Sequence, residues 1–514
     1  MTRTDRIILW AFLAISLLAR LACIRLNTAE YTDGILQITA FEYGFTFWPP
    51  AFTVIVKALA WIVRDPELAG KLVSIVSSTL LLIPVFRFAH RVAGRRAAVY
   101  AALFLMTDAI AIRWSIRVMS DSLFALLCFW AAVLFLHVLE WGQTEPTVAG
   151  ERKMPRTPWT AFAFGCVLAP LATLTRHQGM LLLPLQMLAL QSFWARRRTS
   201  QNPRGVGVAF AAVLPWLAVA AWIYAYRGGH ELQIAERAGE SLADSLLIYW
   251  NLFESFLLLF PYFITIPAFA LVVAGLAIFL AGERQRRTFA LVFIAFALFI
   301  LAMQSVFGSY QERYLLPLIP FMAVLAGAAA ARWEERAARR LAAVRTALVL
   351  ILAYGLAWSV AVLVLQRGAF GDIKEAARYC ATLPPHARIF SNEYYKPDMP
   401  AIKMSFWSGR RVEGFIGLEA LAKGDTLCLH SSYGGLSAYP TLRPSMRFDD
   451  QLAQVKKRYE CREEAWFEAR LVPLLPDIME NPDTHQNPAA WFYRYYPQRF
   501  RTVVLRIEGP RSAR

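Results

Sequence analysis

Ionisable side chains stand beside several apolar segments of this sequence, where charge is costly and marks candidates for function. Arg113, Arg117 and Asp121 are spaced four residues apart in "IRWSIRVMSDSLF", so a continuous helix would carry them on one face. Two arginines at that spacing repel each other, which is easier to understand if an anion lies near them. Glu30 and Asp33 follow the first apolar segment, in "EYTDGILQI". The two arginines therefore indicate a site that holds an anion.

Two more places combine arginine with another ionisable residue at the end of an apolar run. Arg176 and His177 lie in "LTRHQGMLLLP", and Glu312 and Arg313 open the run "ERYLLPLIP". Each place also has a structural interpretation, because an arginine can extend to the membrane interface and a charged pair can cap a helix. His177 is interpreted as a polar loop residue and is left out of the candidate site.

The apolar runs that position these residues predict a polytopic α-helical membrane protein. Of 514 residues, 57% are apolar or aromatic and 18% are charged. Many runs approach the roughly 20 residues that cross a bilayer as a helix. About eleven transmembrane helices are predicted, at 7–24, 68–89, 96–113, 120–138, 159–176, 179–194, 206–226, 260–281, 288–306, 314–331 and 345–366.

Lysine and arginine collect in alternate loops, which predicts the orientation of the chain. The runs "HRVAGRR", "ERKMPR", "ARRRTSQNPR", "ERQRR" and "RWEERAARR" are predicted to be cytoplasmic, together with the amino terminus. Loops 25–67 and 227–259 and the tail from 367 then face the outer side. The Arg- and Ala-rich composition suits a bacterial inner (plasma) membrane, with the tail periplasmic or extracytoplasmic.

The net charge of +17 raises the alternative of a protein that binds nucleic acid. The predicted cytoplasmic loops explain most of this charge. The predicted surroundings are therefore membrane lipids, and no nucleic-acid partner is expected.

The tail, residues 367–514, has the pattern of a soluble α/β domain, distinct from the transmembrane domain 1–366. "GDIKEAARYCATLP" predicts a short helix, and "ARIFS", "DTLCLH" and "FRTVVLRI" predict strands. Its histidines are scattered singly, and it carries no recognisable nucleophile triad, so it is predicted to shape or gate a site elsewhere. Cys380, Cys428 and Cys461 fall in this tail, where at most one disulfide can form.

The motifs, in order, resemble the GT-C superfamily of polyprenyl-phosphate-sugar-dependent glycosyltransferases, in its protein mannosyltransferase and lipid A aminoarabinose transferase-like branch. The matching pieces are "EYTDG", "WPP", "RVMSDSLF", "LTRHQGMLLLP" and "ERYLLPLIP", over residues 1 to about 330, followed by an outer domain. The resemblance implies a GT-C-like fold. It also implies transfer of a hexose or pentose, with inversion, from a polyprenyl phosphate to a hydroxyl of a lipid, glycan or protein acceptor on the outer face.

The resemblance further implies roles for particular residues. Asp33 matches the catalytic acid of the first loop, and its carboxylate can take the proton of the attacking hydroxyl. As a structural alternative, Asp33 suits the start of a helix. Arg117, Arg176 and Arg313 are the candidates for holding the phosphate of the departing lipid, since arginine does so with bidentate geometry.

Two departures from the family pattern bear on this site. Some relatives carry a phosphate-contacting lysine before the proline pair, where this chain has Trp48, and others carry glutamate in the second acidic motif, where it has Asp121. Asp121 and Glu312 are candidates for acidic support or for binding a divalent cation, Mg²⁺ or Mn²⁺, and Asp121 also for positioning the acceptor or pairing with Arg117. Two other functions stay open: a transporter or flippase of lipid-linked sugar, and a non-catalytic GT-C-like assembly partner.

Overall fold

The chain, in the computed structural model, folds as two compact units. The residues described are 1–40, 42, 48–141, 156–197, 212–221, 264–307, 312–392, 401–414, 421–431, 448–471 and 498–511. Met1–Ile24 and Gln37–Val360 form the helical unit, and Arg25–Leu36 and Ala361–Arg514 form the sheet unit. The sheet unit thus includes part of the first predicted outer loop as well as the tail.

Helices dominate the helical unit, as the apolar runs predict. Their bounds are α1 Arg3–Ala22, α2 Thr32–Thr39, α3 Pro50–Val63, α4 Pro66–Leu80, α5 Leu82–Thr107, α6 Ala109–Ser115, α7 Asp121–Trp141, α8 Arg156–Thr173, α9 Leu182–Arg197, α10 Ala212–Ala221, α11 Ile266–Leu280, α12 Arg284–Phe307, α13 Ile319–Arg336 and α14 Leu341–Leu365. Short 3₁₀ helices, His177–Leu181 and Glu312–Leu318, precede α9 and α13. Helices α2 and α14 cross the division between the units.

Several of these helices can cross a membrane. Within the described residues, five stretches are long and apolar enough: Pro66–Thr107, Asp121–Glu140, Arg284–Ala302, Glu312–Arg336 and Leu341–Leu365. These stretches indicate a membrane-embedded protein. The count of eleven spans stays a prediction, and the predicted spans 206–226 and 260–281 lie partly outside the described residues.

The first of these stretches is long enough for two spans. Its 42 residues would extend about 63 Å as one helix, twice the roughly 30 Å of the hydrocarbon core. Gly94 interrupts the helix with φ 85° and ψ 178°, a conformation that glycine adopts readily. The interruption lies in "HRVAGRR", between the predicted spans 68–89 and 96–113.

The predicted end of the span 96–113 is wrong. Helix α5 ends at Thr107, and Asp108 takes an extended backbone conformation, with φ −72° and ψ 128°. The Asp108 carboxylate accepts a hydrogen bond from the backbone N–H of Ala111 at 2.8 Å and so begins α6 as an N-cap. One aspartate therefore divides an apolar run into two helices, and the second carries Arg113.

Two glycines allow close contacts between helices of the helical unit. A Cβ atom on Gly275 of α11 would lie 2.0 Å from the backbone oxygen of Leu325 in α13. One on Gly327 of α13 would lie 2.5 Å from the backbone oxygen of Ala97 in α5. Small residues at membrane helix interfaces permit this approach of backbones. Helix α13 therefore packs closely against helices on two sides.

The sheet unit contains a mixed five-stranded sheet. Its strands are β1 Ile389–Ser391, β2 Glu413–Gly414, β3 Thr426–His430, β4 Tyr459–Leu471 and β5 Gln498–Pro510, in the order β2-β1-β3-β5-β4. β1 runs parallel to β2 and β3, and β5 runs antiparallel to β3 and β4. Its helices include α15 Gly371–Ala381, α16 Ile402–Ser408 and α17 Phe448–Arg458. The predicted helix and three predicted strands correspond to α15, β1, β3 and β5.

The segment Arg25–Leu36 packs on the start of the tail. The backbone N–H of Thr28 donates a hydrogen bond to the carbonyl of Arg367 at 3.1 Å. The rings of Tyr31 and Phe370 meet edge to face, with centroids 5.4 Å apart. The compact unit is therefore built from two separate parts of the sequence, whereas the predicted boundary at 366 and 367 treats it as one.

Candidate active site

Five of the six predicted site residues belong to the helical unit, and Asp33 belongs to the sheet unit. These five residues are all at most 6% exposed; they are Arg117, Asp121, Arg176, Glu312 and Arg313. They lie at or beside the ends of α6, α7, α8 and α13. Burial of charged groups is costly, so their partners determine what they can do.

Glu312 starts the 3₁₀ helix before α13 and pairs with an arginine of α6. Its Oε1 atom lies 2.5 Å from Nη1 of Arg113 and accepts a hydrogen bond from the indole N–H of Trp114 at 3.2 Å. Arg113 is 1% exposed and Glu312 is 0% exposed. A buried ion pair needs such additional hydrogen bonds to offset the loss of hydration. Glu312 therefore holds α6 to the start of α13.

Arg176 follows α8 and pairs with the first residue of α7. Its Nη1 atom lies 2.7 Å from Oδ1 of Asp121, and its Nε donates a hydrogen bond to Oε1 of Gln178 at 3.3 Å. The guanidinium carbon lies 5.0 Å from the centre of the Tyr314 ring. A guanidinium has five N–H donors, and the contacts with Asp121 and Gln178 involve only the atoms Nη1 and Nε. Asp121 thus orients the guanidinium through one edge.

Aromatic rings and a thioether surround Arg313. Nη1 donates to the sulfur of Met119 at 3.4 Å, and Nη2 donates to the phenol oxygen of Tyr314 at 3.3 Å. The guanidinium carbon lies 5.5 Å from the Trp114 ring centre and 5.1 Å from that of Tyr314. Tyr314 thus contacts both Arg313 and Arg176. The aromatic rings orient the Arg313 guanidinium by cation–π attraction.

Arg117 lies in the connection between α6 and α7, and its side chain is 1% exposed. The prediction that Arg113, Arg117 and Asp121 share one helical face is therefore wrong. Arg113 lies near the end of α6, whereas Asp121 begins α7. The backbone N–H of Ser120 donates to Oε1 of Gln37 at 3.1 Å, a side-chain contact in place of a helical hydrogen bond.

The two predicted site acids of the helical unit, Asp121 and Glu312, do not suit a divalent cation. Asp121 and Glu312 each pair with an arginine through one oxygen, and a guanidinium at that distance repels a cation. In the part of the chain that the structure describes, no three His, Cys, Asp or Glu side chains come together as a metal site. Oδ2 of Asp121 is buried without a hydrogen-bond partner among the described residues, so it can accept a hydrogen bond.

Asp33 occupies the first turn of α2 and is 6% exposed. The backbone N–H groups of Gly34 and Ile35 both bond to the carbonyl oxygen of Tyr31, at 3.1 and 3.2 Å. The helix therefore starts just before Asp33, as the structural interpretation expects. Glu30 is 0% exposed, so both acids of this segment are buried.

The sequence did not reveal the rings that connect the arginines. Trp114 contacts Arg113 and Arg313, with guanidinium-to-ring distances of 5.1 and 5.5 Å. The only signal was adjacency, since Trp114 follows Arg113 and Tyr314 follows Arg313. We call Arg113, Arg176 and Arg313 the arginine cluster. Buried guanidinium groups oriented in this way can hold a phosphate by charge-assisted hydrogen bonds.

A second buried polar group lies in the sheet unit, at the carboxyl ends of the parallel strands β1 and β3. His430 contacts Ser391 through Nε2 and Thr502 through Nδ1, each at 2.8 Å, and the Thr502 hydroxyl donates to Asp372 at 2.7 Å. Thr502 has one hydroxyl hydrogen, so Nδ1 of His430 donates to Thr502 and Nε2 accepts from Ser391.

This series of hydrogen bonds has a structural role. Burial lowers the pKa of His430 to about 3, with a smaller contribution from Lys403. The side chains of Ser391, His430, Thr502 and Asp372 are all 0% exposed, so a substrate has no access to them. The prediction that the histidines of the tail stand singly did not reveal these hydrogen bonds, because the residues that form them are far apart in sequence.

No protein-family model matches the chain, and no curated protein matches it in sequence. Solved structures do resemble it. ArnT from Cupriavidus metallidurans bound to undecaprenyl phosphate has a TM-score of 0.58 and 15% identity over 98% of this chain and 98% of that one. The same protein in the apo state has a TM-score of 0.56 and 16% identity over 96% and 97%.

An archaeal protein shares the fold as well. The oligosaccharyltransferase from Archaeoglobus fulgidus in complex with Zn and sulfate has a TM-score of 0.52 and 11% identity, over 87% of this chain and 71% of that one. These likenesses show that the chain has the fold of these solved membrane proteins.

Proposed function

We propose that the chain is an integral-membrane glycosyltransferase that transfers a sugar from a polyprenyl-phosphate donor to an acceptor hydroxyl on the outer face of the inner membrane, with inversion. The arginine cluster is the observation that carries this proposal. Its guanidinium groups are buried, oriented by carboxylates and rings, and lie at helix ends. Such an arrangement suits an anion at the membrane boundary better than it suits a structural role alone.

The fold and this cluster together support the proposed donor class. ArnT, which has the same fold, was solved bound to undecaprenyl phosphate. A polyprenyl phosphate presents a charged head at the depth of helix ends and an apolar chain to the lipid. Arg176 and Arg313 of the cluster are proposed to hold that phosphate together with Arg117, which lies outside the cluster in the connection between α6 and α7. Arg113 is proposed to support the site through its ion pair with Glu312.

The reaction needs a proton acceptor and a stabilised leaving group. The acceptor hydroxyl oxygen attacks the anomeric carbon while the bond from that carbon to the phosphate oxygen breaks. Asp33 is proposed to take the hydroxyl proton, and the arginines stabilise the charge on the departing phosphate. Asp121 orients Arg176.

The test is transfer of label from polyprenyl-phosphate sugars in membranes that contain the full chain, with and without a chelator. We expect the wild type to label a lipid, glycan or protein acceptor and Asp33→Asn to lose that labelling. The matched control is Arg332→Lys, because Arg332 is exposed and pairs only with exposed Glu335 among its described contacts. Binding of polyprenyl phosphate by Asp33→Asn shows that this variant is folded.

The outcomes distinguish the alternatives. Near-normal labelling by Asp33→Asn contradicts its role as base. Movement of donor across the membrane without covalent transfer supports a transporter. Donor binding without turnover in the wild type supports a non-catalytic assembly partner.

A further inference from the structure

The sheet unit brings two cysteines of the tail together. Sγ of Cys380, in the last turn of α15, lies 3.5 Å from Sγ of Cys428, in the middle of β3. Both residues are 0% exposed. A disulfide has a sulfur–sulfur distance of about 2.05 Å, so closing this gap requires a movement of about 1.5 Å.

The face of the sheet determines which cysteines can meet. Leu427 and Leu429 of β3 pack with Val455 of α17 in one hydrophobic core. Successive strand residues point to opposite faces, so Cys428 points to the face that carries Cys380. The pairing of these two cysteines is therefore a consequence of strand alternation.

Cys461 is excluded from this pair. It lies on β4, which β5 separates from β3, and it packs against the core on the α17 side. Two strand spacings amount to about 10 Å, and cysteines whose Cα atoms are more than about 7 Å apart cannot be bridged without backbone movement. Its thiol instead contacts the backbone oxygen of Tyr459 at 3.4 Å.

The backbone at both cysteines is held in place. Arg410 donates to the carbonyl of Cys380 at 3.1 Å and to four more carbonyls between Leu383 and Ala387 at 2.8 to 3.1 Å. Cys428 pairs with Ser391 of β1 and Val504 of β5 in the sheet ladder. The sulfur atoms are therefore positioned before any bond forms.

We propose that Cys380 and Cys428 form a disulfide in the native protein. This inference is independent of the proposed glycosyltransferase activity and rests on the predicted outward orientation of the tail, since disulfides persist in oxidising compartments. The two thiols lose two electrons and two protons to a disulfide donor, R–S–S–R, which becomes two R–SH, through a mixed disulfide.

The bond forms while the tail folds. The hydrogen bond with Cys380 and burial raise the pKa of the Cys428 thiol well above its usual range. Exchange requires a thiolate, so the folded pair would react slowly. After closure, burial shields the bond from reductants.

The test traps free thiols with N-ethylmaleimide in membranes from cells, under denaturing conditions, before proteolysis and mass spectrometry. We expect a linked peptide pair containing Cys380 and Cys428, and alkylated Cys461. Cys461→Ser should retain the link, whereas Cys380→Ser should leave Cys428 alkylated. Alkylation of all three cysteines in the wild type, or a link to Cys461, overturns the proposal.

If the bond is absent, a second measurement shows whether the predicted outward orientation of the tail or the geometry of the cysteine pair is wrong. The purified full chain in detergent is reduced, unfolded and refolded with oxidised glutathione. If the link forms only in this refolding experiment, the native protein lacks the bond because its tail does not face an oxidising compartment. If the link forms in neither experiment, the two cysteines are not positioned to form a bond. Neither result depends on glycosyl transfer.

Discussion

Replacing Arg176 by lysine separates a role in binding phosphate from a role in pairing with Asp121. Lysine keeps a positive charge that can reach the Asp121 carboxylate, which lies 2.7 Å from Nη1 of Arg176. It cannot reproduce the planar fork that also contacts Gln178 and stacks on Tyr314. If Arg176 only neutralised Asp121, lysine would be an adequate replacement.

The size of the effect follows from the contacts that lysine loses. A hydrogen bond to a charged group contributes about 1.5–3 kcal/mol. Loss of one such bond to the departing phosphate corresponds to a decrease in kcat/KM of about 10- to 150-fold. The thermal unfolding midpoint should change little, because the ion pair with Asp121 persists.

The assay measures initial rates of label transfer at several donor concentrations, with the thermal midpoint of each variant measured in the same detergent. Arg332→Lys is the control for replacing an arginine by lysine, because Arg332 is exposed. Transfer by Arg176→Lys within twofold of the wild type, at unchanged stability, would refute phosphate binding by Arg176. Phosphate binding by Arg176 would also be refuted if the transfer rate fell only in proportion to the amount of folded protein.

Two further predictions concern stability. Glu312→Gln should lower the free energy of unfolding by about 3 kcal/mol because it leaves buried Arg113 without its carboxylate, and adding Arg113→Gln should recover part of that loss in a double-mutant cycle; simple additivity would contradict the coupling. For His430, the pKa of about 3 lies below the usual value near 6.5, so its contribution is present above pH 6.5 and is lost as pH falls toward 3. Between pH 7.5 and 5.0 the sheet unit should lose about 2 kcal/mol, seen as a lower thermal midpoint. His430→Gln should reduce this pH dependence, whereas His386→Gln, at an exposed position, should preserve it.

The sequence predicted the membrane helices and several elements of the tail because their signals are local. Apolar runs of about twenty residues mark spans wherever they pack. The runs around α15, β1, β3 and β5 carry ordinary helix and strand patterns. Strand β4 was missed because "YECREEAWFEARL" is rich in charge, which suits the edge position that β4 holds in the sheet.

The sequence predicted which residue types form the candidate site, but it did not predict which residues pair with each other. The sequence indicated arginines and acids at helix ends, but it could not show that Arg113 meets Glu312, 199 residues away. It also pointed to pairing of Asp121 with Arg117, whereas the described ion pair joins it to Arg176. The predicted helical face failed because a connection between α6 and α7 interrupts the periodicity on which it relied.

The glycines at the contacts of α13 restrict how the helical unit can move. At Gly275 and Gly327 a backbone lies where a Cβ atom would stand, so at these two points α13 meets α11 and α5 without a glycine side chain between the backbones. Alternating-access transport rocks one bundle of helices against another around its cargo. Sliding of α13 past α5 or α11 would drive neighbouring side chains into these two close backbone contacts. We therefore expect a movement that admits a substrate to take place in elements outside α5, α11 and α13, with these three helices as the stationary frame.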